Sequence, residues 1–228
     1  MKKRFSLLLS VLLLVILFGA GQVFAGIYKP GTYKASAQGK KSKAHSGLVE
    51  VEVTVSDSKI EDIKIVTYEQ SLDHKKYGPL ANEAKDKIPA SIIDKQSVDV
   101  DVVAKATMSS NAIQLAVSKA LEQASLKKYK PGTYKASAQG KKSKAHSGLV
   151  EVEVTVSDSK IEDIKIVTYE QSLDHKKYGP LANEAKDKIP ASIIDKQSVD
   201  VDVVAKATMS SVAIQLAVSK ALEQARCE

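Results

Sequence analysis

The sequence has no tryptophan, and its three phenylalanines, Phe5, Phe18 and Phe24, all fall before residue 25. Beyond that point tyrosine is the only aromatic side chain. A flat ligand must therefore find its wall among Tyr28, Tyr33, Tyr68 and Tyr77, their second-half counterparts, and Met108. Cysteine is scarcer still: Cys227, beside the C-terminus, stands alone. One thiol closes no intramolecular disulfide, so the fold lacks the staples common in small secreted proteins. Cys227 reads as a tail residue, with pairing between chains as the alternative. The histidines, His45, His74, His146 and His175, have no cysteine beside them and no ligand spacing, which argues against a metal site. Long apolar runs are limited to residues 5–18, broken only by Ser6 and Ser10 and preceded by Lys2, Lys3 and Arg4. That run is short of the roughly 20 residues of a bilayer span. Val23-Phe24-Ala25 before Gly26 then has the small residues of a cleavage site. Residues 1–25 read as a signal peptide, with an uncleaved anchor as the alternative, and imply a secreted or cell-envelope location. No cysteine near the cleavage site offers a lipid attachment point. The formal charge of +7 includes the three positives of the signal, which leaves +4 on the rest. With export this argues against nucleic acid, although the lysine runs at 40, 41, 43 and 141, 142, 144 suit a weak attraction to an anionic surface.

What the sequence does have is itself, twice. Residues 28–124 and 129–225 agree at every position but one, where Asn111 becomes Val212. Each copy is long enough to be a domain and too long for a solenoid unit. The division is therefore 1–25, 26–126 and 127–228, two self-sufficient domains joined by a short linker at 125–128. Within a copy, Val49, Val51, Val53 and Val55 alternate with Glu50, Glu52 and Thr54. A turn at 56–59 and Ile60, Ile63 and Ile65 complete a hairpin with one buried face. Residues 31–39 predict a strand ahead of it, and 97–103 alternate as a further strand. Helical spacing over 77–88 and a proline-led stretch at 89–94 predict two helices. From Ser110, Ile113, Ala116, Val117, Ala120 and Leu121 mark the apolar stripe of a closing helix. Hairpins with helices set apart predict α+β, with an antiparallel sheet and helices packed against it in each repeat.

Between the last predicted strand and the closing helix stands Ala104-Lys105-Ala106-Thr107-Met108-Ser109-Ser110. A helix start with small residues and hydroxyls is a seat for phosphate, because its first N–H groups are free and the dipole is positive there. The competing reading is a plain cap, in which Ser109, Ser110 and Asn111 satisfy the helix start. Asn111 as a cap, with Val212 unable to serve, would make the first repeat the more stable.

Asp101 to Ser110 resembles the hallmark Asp-x-x-Ser-Gly-Ala-Thr-x-Thr-Ser of the FMN-binding domain family, and "GTYKA" at 31–35, the valine-rich hairpin and Glu69 fit its other landmarks. The resemblance covers nearly the whole repeat, twice. It implies FMN as cofactor, linked through its phosphate by a flavin transferase to Thr107 and Thr208. Ala106, Ser109, Ser110 and Glu69, with Ala207, Ser210, Ser211 and Glu170, would surround it. One departure is sharp: the family's Ser-Gly is Ala104-Lys105 and Ala205-Lys206. If the glycine serves a left-handed backbone, lysine there costs about 1 kcal/mol. Lys105 and Lys206 would in exchange place a charge near the phosphate. The resemblance implies an electron carrier without its own substrate site, fed by a membrane dehydrogenase or quinol and emptied by an extracellular acceptor. Non-covalent FMN, or a flavin-free surface module built on the same fold, stay open at this point.

Overall fold

The computed structural model describes residues 27–39, 41, 44–126, 129–140 and 146–226; the expected signal peptide at 1–25 and Cys227 lie outside them. Each repeat runs strand, strand, strand, helix, helix. The first holds β1 (Gly31–Gln38), β2 (Leu48–Val55), β3 (Ile60–Tyr68), α1 (Gly78–Lys95) and α2 (Thr107–Ala124). The second repeats them as β4 (Gly132–Gln139), β5 (Leu149–Val156), β6 (Ile161–Tyr169), α3 (Gly179–Lys196) and α4 (Thr208–Gln224). The sheets are antiparallel in the orders β1-β2-β3 and β4-β5-β6, so the α+β expectation holds in both copies.

The valine alternation makes the central strand. β-branched side chains favour extended backbone, and Val49, Val51, Val53 and Val55 are at most 3% exposed. The turn to β3 closes where the Ser56 N–H donates to the Lys59 carbonyl at 2.9 Å and the Lys59 N–H donates to the Ser56 hydroxyl at 3.1 Å. β1 pairs in unbroken register, Ala35 opposite Val51, as residues 31–39 predict. α2 lies across β1 and β2, and α1 packs on β3 and α2.

Three local expectations change. The two helices expected over 77–94 are one, because Pro89 sits inside α1. Its ring removes one N–H and favours a kink, but Ala84, Ile88, Pro89 and Ile92 are all buried on the same side and hold the helix together. α1 ends at Gln96, left-handed at φ 52° without being glycine. Its side chain offsets the strain: the Gln96 carbonyl oxygen accepts from Ile60 N at 2.7 Å, and its amide donates to the carbonyls of Ile60 at 2.9 Å and Ile93 at 2.7 Å. Residues 97–103 belong to no sheet: Ser97 and Val98 bend, and the Val100 N–H donates to the Val98 carbonyl at 3.0 Å. Val98 and Val100 are buried, yet side chains serve the backbone here: the Gln114 amide donates to the Val100 carbonyl at 2.7 Å.

The third change concerns the closing helix. Its apolar stripe predicts one buried face, but Ser109 through Leu121 are all buried. The other face is covered by α4 of the second repeat. The contacts are reciprocal. Lys119 meets Asp200 at 2.8 Å and Lys220 meets Asp99 at 2.7 Å. The hydroxyls of Ser118 and Ser219 hydrogen-bond. Glu223 accepts from the Ser97 hydroxyl and the Val98 N–H, each at 3.1 Å, while Glu122 accepts from Ser198 at 3.0 Å and Val199 N at 3.2 Å. Such mutual contacts are those of an isologous dimer interface, here within one chain.

Candidate functional site

The site is built where the segment after α1 meets the closing helix. Ser110, wholly buried, donates its hydroxyl to the Ala106 carbonyl and accepts from the Val103 N–H, both at 3.1 Å. Ala106 N donates to the Val103 carbonyl at 2.9 Å, which closes a four-residue turn. Lys105 stands third in that turn with φ 65°, and Lys206 with φ 64°. The position where the resemblance expects glycine is thus left-handed, and a lysine occupies it.

Thr107 and Thr208 are the first residues of α2 and α4, half-buried at the mouth of the turn. No side chain caps either helix: the N-cap residues are Ala106 and Ala207. Cap roles for Ser109, Ser110 and Asn111 are therefore corrected, since all three lie inside the helix. The N–H groups of an uncapped first turn have no intrahelical partner, which leaves donors and positive potential beside the threonine.

Next to Thr208 lies a cavity of about 470 Å³, within the usual range for small-molecule sites. Tyr178, Met209 and Ala182 supply apolar wall, and Gln171, Ser172, Ser210 and His175 supply polar edge. Lys206 and, from the first repeat, Gly39 and Lys41 complete it. Among the described residues the lining carries two lysines and no carboxylate. A phosphate at the helix start and a flat ring against tyrosine and methionine suit this donor set, so the residues present fit FMN.

The sequence reading placed some of these groups and missed others. Thr208, Ala207, Lys206 and Ser210 come together at the cavity. Ser211, like Ser110, is sealed in the helix and bonded to backbone. Glu69 is exposed and takes the Ser46 hydroxyl, as Glu170 takes that of Ser147. The cavity is lined by the neighbour of Glu170, Gln171. That glutamine is 3% exposed, donates to the Gly148 carbonyl at 2.7 Å and accepts from the Ser210 hydroxyl at 3.0 Å. It ties the β4–β5 loop to the start of α4, and Gln70 does the same in the first repeat. No spacing rule singles out a glutamine beside a glutamate.

Among the tyrosines, Tyr178 lines the site; Tyr28 and Tyr129 are core residues and Tyr33 bonds the Lys29 carbonyl. Tyr169 stands behind it, donating to the Ala182 carbonyl at 2.6 Å, and burial pushes its pKa up to about 12. His175 was also missed. Its Nδ1 accepts from the N–H groups of Lys177 at 3.2 Å and Tyr178 at 3.3 Å, and its ring lies 4.7 Å from that of Tyr178. The histidine thereby shapes the loop that presents the tyrosine. Gly179 follows, where a Cβ would lie 1.9 Å from the Leu173 carbonyl oxygen, so only glycine lets this loop close on the helix. The first repeat carries the same residues around Thr107, but the counterpart of Lys41 lies outside the described residues.

The model of the FMN-binding domain matches twice, over residues 45–122 and 146–223. An uncharacterized protein of Treponema pallidum (strain Nichols) is 41% identical over 95 residues, which cover 42% of this chain and 23% of that protein. An NADH:acrylate oxidoreductase of Vibrio harveyi is 36% identical over 97 residues, 42% of this chain and 9% of that protein. The chain thus spans less than a quarter of either relative. The crystal structure of a Clostridium perfringens protein is similar at 25% identity and a TM-score of 0.35, covering 42% of this chain and 88% of that one. With two matches that together span more than half of it, the chain belongs to the FMN-binding domain family, carries that domain in tandem, and has FMN as its cofactor.

Proposed function

We propose that the protein is an exported electron carrier holding one FMN per repeat, each joined by a phosphoester to Thr107 or Thr208. The observation that carries the proposal is the placement of Thr208: its hydroxyl opens a helix with no side-chain cap, at the edge of a cavity lined by lysines. Attachment would follow attack of the threonine hydroxyl oxygen on the flavin-side phosphorus of FAD. That forms the threonine O–P bond, breaks the pyrophosphate bridge, releases AMP and gives up the hydroxyl proton to water. The flavin transferase does this chemistry; the chain supplies the acceptor and the positive surroundings.

When bound, FMN supplies one- or two-electron transfer. The protein's own part is to hold and tune it. Free first-turn N–H groups and Lys206 would balance the phosphate, Tyr178 and Met209 would offer apolar wall to the ring, and the Gln171–Ser210 pair fixes the loop against the helix. A related domain within an NADH:acrylate oxidoreductase supports a role in electron transfer. A membrane dehydrogenase or quinol would reduce the carrier, and an extracellular acceptor would oxidise it. In-gel fluorescence of the denatured protein, after co-expression with a flavin transferase, tests the reading. Fluorescence should persist in each single Thr→Ala variant and vanish in the Thr107→Ala/Thr208→Ala pair. Fluorescence in the pair would move the acceptor elsewhere.

A further inference from the structure

Two residues of the first repeat, Gly39 and Lys41, line the cavity beside Thr208 of the second. We infer that the second flavin site is completed across the repeats, with Lys41 as a binding residue for the anionic part of the cofactor; this rests on FMN being held at Thr208.

The fold explains how the loop arrives there. β1 ends at Gln38, and the Gly39 N–H donates to the Gly47 carbonyl at 2.7 Å, closing the base of the β1–β2 loop. Gly39 is pressed on its own repeat: a Cβ would meet the Gln70 amide at 2.9 Å. Gly39 and Lys41 nevertheless reach the cavity of the other repeat, which the pairing of α2 with α4 brings alongside. The helix pairing brings position 111 and its counterpart 212 onto the other repeat. At one end the Asn111 amide donates to the carbonyl of Gln139, the residue before Gly140, at 2.6 Å. At the other end Val212 is buried in the core of the first repeat. The only position at which the repeats differ is therefore a cross-repeat contact.

The charge arrangement points to the ligand. Among the described residues the cavity has two lysines and no carboxylate, and one of the two comes from the other repeat. A phosphodiester is an anion, and reduction of the flavin adds negative charge, so a second lysine favours both binding and reduction. The Thr208 site would depend on the interface as well as on its own repeat.

The test uses the mature chain with Thr107→Ala, flavinylated at Thr208, in a redox titration. Lys41→Glu should shift the midpoint potential of that flavin to more negative values, and Lys41→Arg should keep it. In the reciprocal Thr208→Ala chain, the Thr107 flavin should not respond to Lys41→Glu. Thermal midpoints of the flavin-free variants should match, which separates the charge effect from unfolding. A Thr208 flavin that ignores Lys41→Glu, or two flavins that shift equally, would overturn the cross-repeat site alone. A chain that takes no flavin at Thr208 and binds no free FMN there would overturn the proposed function and this inference together.

Discussion

Replacing Lys105 and Lys206 by glycine should stabilise the protein, although both lysines are exposed and neither belongs to the core. Their φ angles of 65° and 64° lie in the left-handed region. A residue with a Cβ held there costs about 1–2 kcal/mol. Glycine removes that strain but gives the unfolded chain more freedom, which takes back about 0.5–1 kcal/mol. Taken at mid-range, the net gain is about 0.5–1 kcal/mol per site and about 1–2 kcal/mol for the pair. At this chain length that raises the thermal midpoint by about 2–8 °C. Lys105→Ala/Lys206→Ala is the control, since alanine keeps the strain and loses the charge. Circular dichroism melts of the flavin-free mature chain should show a rise for the glycine pair and none for the alanine pair. Equal rises would mean that the lysines repel their surroundings and that the backbone is unstrained. A fall with glycine would mean that the lysine side chains hold the turn.

Three further outcomes follow from the interface. Asn111 is 1% exposed, and among the described residues its Oδ1 has no hydrogen-bond partner. Asn111→Val should therefore fall within about 1 kcal/mol of neutral, whereas Asn111→Asp, which sets a carboxylate against the Gln139 carbonyl, should cost about 3 kcal/mol or more; urea unfolding measures both. Burial raises the pKa of Glu223, with the Arg226 charge opposing. The folded state therefore keeps this proton to higher pH than the unfolded state does. Its contribution is most favourable below the ordinary glutamate range and declines as pH rises through the folded pKa; Glu223→Gln should flatten the stability profile over that window, and an unchanged profile would contradict this. Separated repeats, 26–126 and 127–228, should self-associate through α2 or α4 in sedimentation velocity, because each exposes the face that bears Ser118 or Ser219; concentration-independent monomers of full stability would contradict the interface.

The strands were legible because Val49 to Val55 serve one face with a period of two, and periodicity reports burial directly. The same signal misled at residues 97–103. Alternation reports an extended, half-buried chain, and hydrogen bonds from side chains such as Gln114 can satisfy such a chain without a neighbouring strand. Pro89 suggested a helix boundary that burial of Ile88 and Ile92 overrides. The threonines were legible from a linear motif, and Thr208 lies at the cavity beside Lys206, which stands where the motif has glycine. Gln171, His175 and Lys41 were not, because they reach the site from another loop or the other repeat, and nothing in their own spacing records that. The all-round burial of α2 was hidden for the same reason: Ser118 and Lys119 read as solvent residues until a second copy covers them.

Intact-mass spectrometry of the mature protein, co-expressed with an active flavin transferase, tests the central claim most directly. The account predicts a mass raised by two FMN phosphoesters, by one in either Thr107→Ala or Thr208→Ala, and by none in the double variant. An unshifted mass for the wild-type chain, or a flavin retained when both threonines are gone, would contradict it.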